Sequence, residues 1–258
     1  MTIRPAFCCL MLWLVLATSA PAYAQGRGRG QTPATAKAAS PIDLTGYWVS
    51  LVTQDWRVRM FTPPKGDYTS VPLNAAARKV ADAWDPARDE ASGDQCKSYG
   101  AANIMRVPGR LHITWQDGET LKLETDAGIQ TRVFYFGTPR GNGGDWQGVS
   151  KASWEFLPSP ITDVLGSRVG KDNMYGSLKV FTTKLKPGYL RTNGVPYSEN
   201  TTLTEYFDRV NDPDGDSFLV VTTTVDDPTY LNRPFMTSTH FKKQADASGW
   251  NPAPCAAR

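Results

Sequence analysis

Arg110-Leu-His-Ile-Thr-Trp-Gln116, Thr120-Leu-Lys-Leu-Glu-Thr-Asp126 and Gln130-Thr-Arg-Val-Phe-Tyr-Phe136 follow in succession, separated by the turn signals Asp117-Gly118 and Ala127-Gly128. Apolar and polar residues alternate in each, which is the period of a strand whose two faces meet different surroundings. With these turns between them the three segments form an antiparallel meander. The same period extends over 146–156, 177–185, 201–210, 217–225 and 235–244, with Asn211-Asp-Pro-Asp-Gly-Asp216 turning one strand back on the next. Upstream, 44–53 alternates as well, with Tyr47, Val49 and Leu51 on one face and Trp48, Ser50 and Val52 on the other. One helix is expected over 74–84, capped by Asn74, with Ala77, Val80, Ala81 and Trp84 at helical spacing and Asp85-Pro86 as its stop. Eight or nine successive strands with one short N-terminal helix predict an all-β, antiparallel up-and-down barrel, because closure removes unpaired sheet edges.

The 258 residues are 40% apolar and 21% charged, enough to build one sizeable core and too apolar for a disordered chain. Basic groups number 28 against 25 acidic ones, yet Arg4, Arg27, Arg29 and Lys37 all precede residue 42, leaving the body balanced. That balance argues against nucleic acid as a partner.

Arg4 followed by the short greasy run from Phe7 to Ala17, with Ala22 and Ala24 around Tyr23, fits a secretory signal cleaved near Ala24. The run is too short to span a bilayer, so no integral membrane segment is expected in the mature chain. The expected organisation is a signal peptide over 1–24, a flexible Gly/Arg/Thr/Ala/Ser tail over 25–41 and a single barrel domain over 42–258, secreted or periplasmic. Cys96 and Cys255 are the cysteines left after cleavage, and in an oxidising compartment such a pair forms one disulfide. Two free thiols near a reactive site are the other reading, which no Cys-x-x-Cys spacing and no adjacent histidine favours.

Gly46-Tyr47-Trp48 on the first strand resembles the Gly-x-Trp signature of the lipocalin and calycin barrels, and Thr204-Glu205-Tyr206 resembles their Thr-Asp-Tyr element with Glu for Asp. The resemblance implies that Trp48 closes the narrow end of the barrel and that a late arginine, Arg233, stacks on it. Over 96–255, Trp146-Gln-Gly148, Ser150, Trp154-Glu155, Leu178-Lys-Val180 and Val225-Asp-Asp-Pro228 also resemble a group of exported bacterial proteins of unassigned activity. Their similarly placed cysteines agree with the Cys96–Cys255 bridge.

Candidate chemistry is sparse. His112 and His240 are the chain's two histidines, and both fall in strands, where hydrogen-bonding neighbours satisfy most histidines without catalysis. Glu205 shares a face with Leu203 and Phe207, and Arg132 shares one with Phe134 and Phe136, so the two carry opposite charges on apolar faces and pair if buried together. These four are the candidate acid-base and electrostatic groups. No metal site follows from two isolated histidines, and Asp212, Asp214 and Asp216 lack the calcium-loop spacing. No phosphate loop, dinucleotide fingerprint or nucleophile elbow is present, and no cofactor is called for.

Trp115, Tyr135, Trp154, Phe181 and Tyr206 lie in predicted strands and are the candidate walls of a ligand cavity. The expectation is an exported lipocalin-like protein holding a small apolar or amphipathic molecule inside the barrel, gated by the glycine-rich loop 137–144 and the connection 157–175. An isomerase or hydrolase on the same scaffold and a non-catalytic envelope protein with a packed barrel are the alternatives. The oligomeric state is not readable.

Overall fold

A computed structural model describes residues 34–156 and 176–257. The predicted signal over 1–24, residues 25–33 of the predicted tail and the connection 157–175 lie outside the described residues. Nine strands close into one barrel: β1 (Gly46–Leu51), β2 (Arg110–Trp115), β3 (Thr120–Thr125), β4 (Gln130–Tyr135), β5 (Val149–Phe156), β6 (Gly176–Thr183), β7 (Thr202–Asn211), β8 (Ser217–Asp226) and β9 (Phe235–Gln244). Each strand pairs with its neighbours in the chain, and β9 closes the ring on β1 through Tyr47↔Gln244 to Leu51↔His240.

A ring of nine strands cannot be antiparallel throughout, since every antiparallel step reverses direction and an odd number of reversals does not return to the start. The odd step falls between β4 and β5, which run parallel over Phe134↔Ser150 and Tyr135↔Lys151. A parallel pair needs a connection long enough to bring the chain back along the barrel. Residues 136–148 provide it, and the glycine-rich run that sequence reading assigns to a gate is part of this crossover. It is tied down where Gly144 N–H donates to Lys184 O (2.8 Å), Lys186 N–H to Asp145 O (2.7 Å) and Ala101 N–H to Trp146 O (2.8 Å). The Asp145 carboxylate accepts from the N–H groups of Gln147 (2.9 Å) and Gly148 (2.7 Å), a turn that delays β5 to Val149 instead of residue 146.

The inward faces fill the barrel with their own side chains. Leu111 and Ile113, Leu121 and Leu123, Leu178 and Val180, Leu219 and Val221, and Phe134, Phe207, Phe241 and Trp48 are all buried in one cluster. One end is closed by the segment just before β1. There Trp154 Nε1 donates to Ala36 O (2.7 Å) and Lys37 N–H to Gly118 O (3.0 Å), so 34–41, the last eight residues of the predicted tail, are packed against the barrel.

The opposite end carries a cap, built from the long β1–β2 connection together with the β6–β7 and β8–β9 connections. Its helices are α1 (Trp56–Met60), α2 (Ala75–Asp82), α3 (Pro86–Ala91) and α4 (Ala101–Ile104), where sequence reading placed one. Asn74 caps α2 as expected, its side chain accepting from Ala77 N–H (2.9 Å), and Ala77 and Ala81 face inward. Asp85-Pro86 is a start as well as a stop. The Asp85 carboxylate accepts from the N–H groups of Ala87 (3.1 Å) and Arg88 (3.3 Å), with Pro86 in the first turn, where its missing N–H costs nothing. The cap has its own buried cluster, including Leu73, Leu190, Val195 and Tyr197, continuous with the last inward residues of the strands, Leu203, Val225 and Phe235.

Candidate functional site

Arg132 on β4 and Glu205 on β7 meet inside the barrel, both side chains fully enclosed. Nη1 donates to Oε1 (3.0 Å) and Nη2 to Oε2 (2.5 Å), a two-pronged contact that matches the guanidinium plane to the carboxylate. Thr182 Oγ1, itself 2.8 Å from Ser150 Oγ, accepts from Arg132 Nη2 at 3.4 Å, and the guanidinium lies 5.0 Å from the Phe134 ring centroid. Arg132 Nε has no partner among the described residues, and the pair is packed against the Phe134 ring.

Neither histidine joins it. His112 sits on the outer face, stacked on Tyr47 (4.1 Å between centroids) with Nδ1 3.3 Å from Glu124 Oε2. His240 is also outside, with Nδ1 3.1 Å from Gln54 Nε2. The four residues named for acid-base chemistry are therefore split by the barrel wall.

The aromatic candidates divide in the same way. Trp115 and Trp154 face inward at the tail-covered end, forming a cluster with Phe136 whose centroids are 5.1–6.4 Å apart. Tyr135, Phe181 and Tyr206 do not line the interior. Each falls on the alternate, outward face of its strand, where Phe181 is 44% exposed and Tyr206 lies under Lys179. Alternation separates the two faces of a strand without marking which is inner.

The resemblance-derived stack is formed with a different partner. Trp48 is completely buried and its Nε1 donates to Leu44 O (2.9 Å), but the cation over its ring is Lys243, with Nζ 4.5 Å from the centroid, while Arg233 is exposed. Lys243 stands directly across from Trp48 on β9, which explains the choice. Cys96 and Cys255 form the expected disulfide, with Cα atoms 5.1 Å apart, fastening the C-terminal segment to the cap.

A recess that sequence reading did not single out opens in the cap. It is a cleft of about 630 Å³ walled by Trp56, Phe61, Pro63 and Pro64, with Arg191 among its lining residues. An inner pocket of about 40 Å³ shares Val58 and Arg191 with it and is further lined by Arg59, Tyr99, Asn103 and Arg106. Asn193, fully buried, holds the outer wall in place by donating from Nδ2 to Pro64 O (3.2 Å) and Asp67 O (3.0 Å).

Three arginines converge there, each less than a tenth exposed: Arg59 (8%), Arg106 (5%) and Arg191 (3%). Arg106 is satisfied by Asp55, Nη2 to Oδ2 at 3.0 Å. Arg59 is anchored through Nε to Arg106 O (2.9 Å), which leaves Nη1 and Nη2 without a partner among the described residues. Nε and Nη1 of Arg191 are likewise unpaired there. Burial first, and then the nearby Arg106, lower the pKa of Arg59 to about 10 and that of Arg191 in the same direction, with Asp55 opposing. Both stay charged at neutral pH. A buried cation with idle donors is costly, so this arrangement is poised to receive an acceptor.

Comparison with protein-family models, curated proteins and solved structures finds no match to the chain. Among the described residues no helix is long and apolar enough to cross a membrane.

Proposed function

We propose that this chain is an exported, lipocalin-like binding protein for a small amphipathic molecule, and that the molecule is held in the cap cleft and not along the barrel axis. The observation that carries this reading is the cleft itself, whose aromatic and proline walls stand over buried arginine. Trp56, Phe61, Pro63 and Pro64 give the cleft an apolar side and Asp55, Arg57, Asp67 and Arg191 a charged one, a mixture that suits an amphipathic molecule. The barrel interior is taken up by rings, aliphatic side chains and the Arg132–Glu205 pair, so it serves as the rigid support. Trp56 (54% exposed) and Phe61 (65% exposed) are unusual in leaving so much aromatic surface in water, and a ligand tail laid on them removes that surface.

Export rests on the Arg4-to-Ala24 pattern and accords with the Cys96–Cys255 bridge, which an oxidising compartment maintains. Sequencing the N-terminus of the mature protein tests it, with Gln25 the expected first residue.

Native mass spectrometry of the protein purified from its own host tests the binding role. The expected result is a retained small molecule that the Trp56→Ala/Phe61→Ala variant loses while its melting temperature is unchanged. A ligand retained equally by that variant places the site elsewhere and overturns the cleft assignment.

A further inference from the structure

The inner pocket allows the ligand's head group to be named, an inference that rests on the cap cleft being the binding site. Arg59 lines this pocket, and the two terminal amino groups of its guanidinium, held side by side in one plane, both lack a partner among the described residues. That fork fits a planar acceptor with two oxygens at once. Arg191 joins the inner pocket to the outer cleft, lining both, and adds two further idle donors.

Charge and size narrow the class. The three buried guanidiniums, with Arg57 at the cleft, outnumber the carboxylates Asp55, bonded to Arg106, and Asp67, close enough to act on Arg191, so the site is positive and takes an anion. A pocket of about 40 Å³ holds roughly three water-sized groups at about 10–15 Å³ each. A carboxylate has three heavy atoms, whereas a phosphate or sulfate has five. Nη2 of Arg106 is already bonded to Asp55 and Nε of Arg59 to Arg106 O, which leaves the terminal groups of Arg59 to meet the head group.

We propose that the cap recognises the carboxylate of an amphipathic carboxylic acid, held by Arg59 and Arg191, with its apolar tail lying in the outer cleft against Trp56 and Phe61. The idle donors are shut off from solvent, so a rearrangement of the arginine side chains accompanies entry of the head group.

Isothermal titration of the full mature chain with octanoate, octan-1-ol and octyl phosphate tests this. The expected result is that octanoate binds at least tenfold more tightly than either of the other two. Arg59→Met and Arg191→Met are each expected to remove that preference, and Arg59→Lys, which keeps the charge but not the fork, to weaken octanoate binding severalfold while the protein stays folded. Equal affinity for octanoate and octanol overturns the carboxylate assignment and leaves the cleft as an apolar site. Tighter binding of octyl phosphate overturns it in favour of a tetrahedral anion. Binding of none of the three overturns both the head group and the cleft reading on which it rests.

Discussion

Arg132 and Glu205 lie 73 residues apart in the chain and meet by two parallel hydrogen bonds inside the barrel, with no exposed atom on either side chain. Their registers explain the meeting: β4 and β7, with β5 and β6 between them in the ring, present them inward at positions where the neighbouring inward residues are Phe134 and Phe207. Each charge costs several kcal/mol to desolvate, and only the partner's presence offsets that.

Glu205→Leu is therefore expected to lower the unfolding free energy by about 3–5 kcal/mol, because it leaves a guanidinium buried without a counter-charge. The double variant Arg132→Met/Glu205→Leu is expected to regain most of the loss. Urea unfolding of the two variants measures this, and an equal loss in both shows that the pair acts through volume alone.

The Trp48–Lys243 stack carries a second expectation. Lys243→Ala removes a cation held 4.5 Å above the ring and is expected to cost about 0.5–2 kcal/mol. Gly46 turns the chain beneath that lysine at φ +101°, and a Cβ there would lie 2.9 Å from Lys243 Nζ. The lysine end can swing away but the backbone angle cannot change, so Gly46→Ala is expected to cost about 1–3 kcal/mol in either background. Rescue of Gly46→Ala by Lys243→Ala in thermal melts would assign the cost to contact and not to φ.

Cys96 and Cys255 are separated by 159 residues, so their bond closes a long loop in the unfolded state that takes in every barrel strand but β1. Chain entropy assigns about 5 kcal/mol to a loop of that length. The Cys96→Ser/Cys255→Ser variant is expected to unfold at markedly lower urea and to lose all sensitivity to reductant, and a melt unchanged by dithiothreitol in the parent protein contradicts the bridge.

Acid stability is expected to depend on Asp94. Burial alone would raise its pKa, but hydrogen bonds from Lys186 (3.1 Å) and Lys97 outweigh burial and hold it below 3.8. A carboxylate whose folded pKa is depressed contributes in full above the unfolded value and loses its contribution as pH falls through the folded one. Asp94→Asn is expected to melt below the parent at pH 6, with the difference shrinking below about pH 4. A difference constant from pH 2 to 6 contradicts an electrostatic origin.

The barrel was legible because its cause is local. Alternation and turn residues are written into each strand, and even the Arg132–Glu205 meeting showed in two charges on apolar faces. The inner and outer aromatic faces were not legible: Tyr206 and Phe207 differ only by one step of a two-residue period, and which step faces inward depends on closure. The cap was missed for another reason. Apart from α2, which its spacing reveals, its helices are four to six residues long, too short for a periodic stripe, and Arg59, Arg106 and Arg191 come from separate non-strand segments. The one trace is Trp56-Arg-Val-Arg-Met60, which alternates with the period of a strand yet folds as helix α1.

The parallel joint between β4 and β5 is secured by two residue pairs, whereas β7 and β8 are matched along ten. A hoop with a single short clasp opens at the clasp. Amide protons of Phe134 and Tyr135 will thus exchange ahead of those in β7 and β8, and in a partly opened molecule this is where the sheet first offers a free margin to another chain.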